Sequence, residues 1–257
     1  MAKTLRVNET PLVLYCLRRA DDALILGHRL SEWCGHAPMM EEDMALANMA
    51  LDLIGQARSL YTYAGQVEGE GHTEDDFAYW RDERGYRNAL LVEQENDDFA
   101  RTIMRQFLYA SFADLYWQAM VKSKDETLAA VAAKSEKEMA YHVRHTAEWV
   151  IRLGDGTDES HERIAKALEY CWPFTGELFE ADESEKGLVA EGIAADLSSL
   201  RDQWRTNVKA VLDEATLTMP QDGWMQKGGR SGRHSEYLGH LLTELQHVQH
   251  TVPGAVW

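Results

Sequence analysis

The chain has 257 residues, 45% of them apolar, enough for one large domain or two small ones around a sizeable core. Lys and Arg number 26 against 43 Asp and Glu, and the resulting net charge of −17, spread along the chain, opposes binding to nucleic acid or anionic lipid. MAKTLRVNET lacks the apolar stretch of a signal peptide, no run long enough to span a bilayer occurs, and Cys16, Cys34 and Cys171 form no CxxC pair, so a reduced, soluble, cytoplasmic protein is expected.

Only five prolines interrupt long spans of Ala, Leu, Glu, Met and Gln, which predicts an all-α protein. A first helix is predicted from Pro11 to about Cys34, closed by GHAP. A second follows Pro38, with the acidic turn EED at its positive end, and runs to Gly65. Residues 66–94 read as a long crossover with short helical turns, the connection expected between helix pairs that are not simply up and down. A third helix starts near Asp97, with an apolar stripe through Phe99, Ile103, Phe107 and Leu115, and breaks at SKDE. The fourth spans about Glu126 to Leu153, ended by GDGTD.

Three further helices are predicted: about Asp158 to Phe179 with a kink near Pro173, about Asp196 to Leu217, and about Ser235 to Thr251. No low-complexity linker or repeat separates them from the first four. One domain, 1–257, is therefore expected, with a bundle core over about 11–155 and extra helices packed over about 158–251.

EKEMAYHVRH places Glu138, His142 and His145 on one face of the fourth helix. Such a face is half of a metal site or a salt-bridged surface in which Glu138 pairs with His142 or Arg144. A di-iron bundle needs a Glu from each of two helices and Glu-x-x-His from each of the other two. Single carboxylates can be found: Asp21, Asp22 and Glu32 on the first helix, Asp98 and Asp114 on the third. Both Glu-x-x-His motifs are missing. Asp52 is followed by Gly55 and Gln56 rather than His, and Met139, a poor ligand for hard iron, stands three residues before His142. His72, His161 and His234 read as surface or capping residues.

No GxSxG, P-loop or strand-borne GxGxxG occurs. KGGRSGR offers Lys227, Arg230, Arg233 and glycine-freed N–H groups that can cradle a phosphate, or it is simply a solvated loop. Eight tryptophans, several in acidic or loop contexts, make a partner surface an expectation.

The stretches LGHRLSEWCGHAPMMEEDMALANMALDLIGQARSLYTYAG, FAYWRDER, LLVEQENDDFA, EKEMAYHVRHTAEWVIRLGDGTDES and LTELQHVQHTVPGAVW together resemble the C subunits of bacterial phenylacetyl-CoA epoxidases, the ring 1,2-phenylacetyl-CoA monooxygenases of phenylacetate catabolism. The resemblance spans nearly the whole chain. It implies a ferritin-like four-helix bundle with additional C-terminal helices, acting as a structural, non-catalytic subunit of a hetero-oligomer. It further implies a homologous catalytic A subunit that holds the di-iron centre, a small B subunit, and a reductase with flavin and iron–sulfur groups, with no cofactor on this chain. By the same resemblance Glu32, Asp52, Glu138, Met139 and His142 mark a degenerate pseudo-site, Met139 replacing the Glu of the catalytic motif and Gly55-Gln56 the end of its helix-two counterpart. The rival expectation is an autonomous ferritin-like metalloenzyme or ferroxidase using Glu32, Glu138 and His142.

Overall fold

The structure, a computed structural model, describes residues 4–255. It is all-helical over those residues, with no strand. Helix α1 (Pro11–Ser31) starts with Pro11 at its first position, where a missing N–H costs nothing, and Thr10 caps it by accepting from the Val13 amide. It stops three residues before the predicted end, and Gly35 takes a left-handed turn at φ 80°.

Helix α2 (Met40–Glu68) runs a turn past Gly65, to a left-handed cap at Gly69. Gly65 is a packing residue rather than a terminator: a Cβ there would lie 2.3 Å from the His72 carbonyl oxygen. The crossover carries α3 (Glu74–Tyr79), opened by a Thr73–Asp76 capping box, and the single turn α4 (Leu90–Glu93). Helices α5 (Phe99–Met120) and α6 (Glu126–Gly154) begin at the caps Asp98 and Asp125, each accepting a backbone N–H.

Four cross-links fix α2 antiparallel to α6, because they run in opposite sequence directions: Glu42 to His145, Asp52 to His142, Gln56 to Glu138 and Tyr63 to Asp125. Tyr15 to Tyr116 and Trp33 to Thr102 set α1 antiparallel to α5 in the same way. Small residues let α1 and α2 approach closely. An added Cβ on Gly27 would meet Ala50 and Leu53 at 3.2–3.3 Å.

Beyond the bundle, α7 (Asp158–Cys171) packs on α5 and α6. The helix predicted to Phe179 ends at Cys171 instead. Pro173, lacking an N–H, gives way to two short 3-10 turns at 172–174 and 176–179. Helix α8 (Glu183–Glu191), absent from the sequence expectation, docks on α1. Helix α9 (Leu197–Glu214) packs on α5 and α6, and the last predicted helix is broken at Gln246 into α10 (Glu236–Leu245) and α11 (His247–Thr251). Buried apolar side chains from Val13 to Leu242 form one continuous core. No helix among the described residues is long and apolar enough to cross a membrane.

Candidate functional site

The centre of the four-helix bundle is polar but closed on itself. His142 is fully buried; its Nε2 lies 3.2 Å from Oδ2 of Asp52 on α2, and its Nδ1 3.2 Å from Nε2 of Gln106 on α5. With the Gln106 amide nitrogen donating to Nδ1, the ring's own N–H points at Asp52. Gln106 Oε1 has no hydrogen-bond partner among the described residues. Met139 is fully buried one turn before His142.

On α2 the inward pair at helical spacing is Leu53 and Gln56, both buried, so of the expected Gly55-Gln56 end of the motif it is Gln56 that faces the bundle centre. Asp52 sits at the edge of the seam, its side chain 35% exposed, and reaches in to His142. Gly55 faces outward, where an added Cβ would touch only Lys134 Nζ at 3.7 Å.

Glu138 does not pair with His142 or Arg144. Its carboxylate accepts from Gln56 Nε2 at 2.9 Å and meets Lys134 Nζ at 3.2 Å, while Arg144 lies over the Tyr141 ring. His145 bonds Glu42 at 2.9 Å. Glu32 lies apart from the group: it follows the last residue of α1 and holds Arg29 at 2.8 Å and Asn96 at 2.7 Å. Its expected role as the helix-one carboxylate is thus corrected, because at the C-cap of α1 its two oxygens are taken by Arg29 and Asn96 rather than turned to His142.

Around His142 the donor set is one carboxylate, one carboxamide and a thioether, which does not fit a di-iron centre. Among the described residues no group of three or more His, Cys, Asp or Glu is placed to hold a metal ion. Gln106 escaped sequence reasoning, which sought carboxylate and imidazole ligands on the third helix. A glutamine on an apolar helix face was the available signal.

The glycine-rich loop does cradle an anion, and that anion is internal. Buried Glu177 accepts from the amides of Gly228 at 2.9 Å and Arg230 at 3.1 Å through one oxygen, and from Leu90 at 3.0 Å through the other. Arg230 is spent on Asp22 through both terminal nitrogens, at 2.9 and 2.7 Å, and on the carbonyls of Arg18 and Arg87. The expected phosphate contact at Arg230 is therefore corrected: its donors are used inside the fold. Lys227 and Arg233 are exposed, at the rim of a depression of about 280 Å³ that also contains Glu177, Glu180 and Asp182.

Asp22 and its neighbours form a buried ionic band on the outer side of α1. Arg18 and Arg19 hold Glu185 of α8, and Arg81 holds Asp21. Burial pushes the Asp22 carboxyl up, against the opposing pull of Arg230 and Arg19. His234, expected at the surface, has a side chain only 3% exposed and bonds Glu93 and the Tyr86 carbonyl, whereas His161 does cap α6 through Gly154.

Of the tryptophans, Trp117, Trp172 and Trp204 are buried, Trp33 bonds Thr102, Trp224 is 77% exposed, and Trp257 lies outside the described residues. Exposed Met40, Met44 and Leu51 line the outside of α2, and Tyr141 is exposed on α6.

Comparison with known proteins gives this arrangement a family. A chain from Escherichia coli (strain K12), described as the C subunit of 1,2-phenylacetyl-CoA epoxidase, is 47% identical over 246 residues, covering 96% of this chain and 99% of that one. The family described as "Phenylacetic acid catabolic protein" matches residues 1–257. The chain, an all-helical protein of ferritin-like design, belongs to the phenylacetic acid catabolic protein family.

Proposed function

We propose that this chain is a structural subunit of a multicomponent di-iron oxygenase that epoxidises the aromatic ring of phenylacetyl-CoA, and that it carries no metal of its own. The name of the E. coli relative, a subunit of an epoxidase, supports membership in such an assembly. Filling of the bundle centre by Asp52, His142 and Gln106, with Met139 and Leu53 at the positions where carboxylates are needed, supports the non-catalytic role most directly.

In this role the bundle supplies shape. Four antiparallel cross-links and the ionic band of α1 hold its faces rigid, so that a homologous catalytic partner is positioned against a fixed surface. The iron of that partner supplies oxygen activation. The residues of this chain act by packing, hydrogen bonding and charge pairing.

The test is co-expression with the catalytic relative, the small subunit and the reductase, followed by size exclusion, metal analysis and phenylacetyl-CoA turnover with and without this chain. Expected are co-elution with the catalytic partner, substoichiometric iron on the isolated chain, and turnover that needs the chain present. Two irons per isolated chain with oxygen consumption would establish the ferroxidase reading in its place.

A further inference from the structure

His234 is a buried titratable group that the proposed function does not use. Its Nδ1 lies 2.7 Å from Oε2 of Glu93, and its Nε2 lies 3.1 Å from the carbonyl oxygen of Tyr86. Both partners accept. A carbonyl has no proton to offer, and the Glu93 carboxylate already receives N–H groups from Asn88 at 2.8 Å and from the Ser235 backbone at 2.6 Å. A neutral imidazole has one N–H and one bare lone pair, so it would set a lone pair against one of these oxygens; an imidazolium satisfies both.

Glu93 is itself fully buried. Among the described residues no Lys or Arg touches its carboxylate, and Arg29 binds only its backbone carbonyl. A buried carboxylate without a counter-charge is costly, and the imidazolium is the charge within reach.

We propose that His234 is a protonated latch that holds residues 235–251 on the crossover, and that loss of its proton releases this segment. Ser235 and α10 follow the latch directly. The rest of the segment is held by the burial of Leu238, Leu241 and Leu242, the bond of Arg29 to the Tyr237 carbonyl, the bonds of Gln246 to the carbonyls of Ala78 and Arg81, and that of His250 to the Tyr79 carbonyl beside its stack on Trp80. Release would widen the solvent-open cleft, now about 650 Å³, between the end of α1, at His28 and Glu32, and α10–α11, at Leu241 and Val248.

On the Tyr86 side of His234, Arg81 is paired with Asp21 and Arg87 with Glu9, and Glu83 and Arg84 belong to the 83–85 turn packed against α10. Glu93 of α4 touches the imidazole, Asp21 of α1 adds a favourable field although it is paired with Arg81, and Arg29 of α1 stands beyond Glu93. Arg233 and Glu236 on its own segment are exposed to solvent. Burial opposes the charge, yet the bond and charge of Glu93, then the Tyr86 carbonyl, outweigh it and raise the imidazole above its usual range. A raised folded-state value means the stabilisation is complete below the ordinary histidine value of about 6.5 and is lost as pH climbs through the folded-state value.

Full-length chain labelled with ¹⁵N-histidine tests this by NMR of the ring nitrogens, alongside hydrogen exchange of α10–α11. Protons on both ring nitrogens of His234 are expected at pH 7, where an unperturbed imidazole is mostly neutral. Protection of α10–α11 should fall roughly tenfold or more, relative to α5, as the ring titrates. His234→Gln should show the low protection at every pH. A His234 ring with a single N–H at pH 7, or α10–α11 protection indifferent to pH in the unmodified chain, would overturn the proposal, and neither measurement depends on a variant folding.

Discussion

Asp52 on α2 and His142 on α6 meet 3.2 Å apart at the seam of two antiparallel helices, the carboxylate from the rim and the imidazole from the fully buried side. A carboxylate and an imidazole at this spacing are two members of a metal site. What surrounds them, a carboxamide and a thioether, turns the pair into a hydrogen bond that ties one helix to the other.

His142→Ala should therefore act on stability. Loss of the ring leaves Asp52 and the Gln106 amide without their partner and opens a void, at a cost of about 2–4 kcal/mol by denaturant titration. Turnover per assembled complex should be unchanged, whereas in an autonomous metalloenzyme the same change abolishes activity.

The missing ligands can be put back. Gln106→Glu with Met139→Glu places two carboxylates beside His142 and Asp52. In the absence of metal the double variant should melt lower than the parent, because buried like charges repel. Added Zn²⁺ or Fe²⁺ should raise the melting temperature of the variant and leave that of the parent unmoved.

The glycine loop makes a structural prediction of its own. Glu177→Ala strands three backbone N–H groups and should destabilise by roughly 3 kcal/mol, read by denaturant or thermal unfolding. Gly229→Ala should be severe as well, since its Cβ would lie 2.1 Å from the Asn88 carbonyl oxygen.

Arg230→Ala should cost about 3–5 kcal/mol, because Asp22 would lose its bidentate partner while remaining fully buried. Arg230→Lys should recover only part of this, a single ammonium being unable to span both oxygens and two carbonyls. Affinity for CoA should be untouched by either change in the isolated chain.

Thiol labelling separates the three cysteines. Burial pushes the Cys171 thiol to about 12 and raises Cys16 well above its ordinary value, and both are inaccessible, whereas Cys34 is exposed. An alkylating reagent at pH 8 should modify Cys34 alone in the native protein and all three after unfolding.

The long helices were legible because their signals are local: Pro11, the EED turn, and the breaks at GHAP, SKDE and GDGTD all act within one turn of where they stand. Gly65 misled because its meaning depends on His72, a residue outside its own helix. Helix α8 was missed because Glu183–Glu191 has little apolar periodicity; its place is set by Arg18 and Arg19, far away in sequence.

At the bundle centre the loss of ligands was legible as a count of residue types. The occupants were not. That Gln106 meets His142, or that Glu138 turns to Gln56, depends on the register between helices, which no spacing within one helix encodes. Arg230 shows the same limit from the opposite side, a cation that reads as free until Asp22 is placed beside it.

A loop that binds an anion from solution fills and empties with concentration, but Glu177 shares a backbone with the loop that receives it and cannot diffuse away. Tethered at an effective concentration of order millimolar or higher, it excludes any free phosphate that binds more weakly than that. The loop is saturated from the moment the chain folds, and its occupancy reports folding rather than the supply of any metabolite.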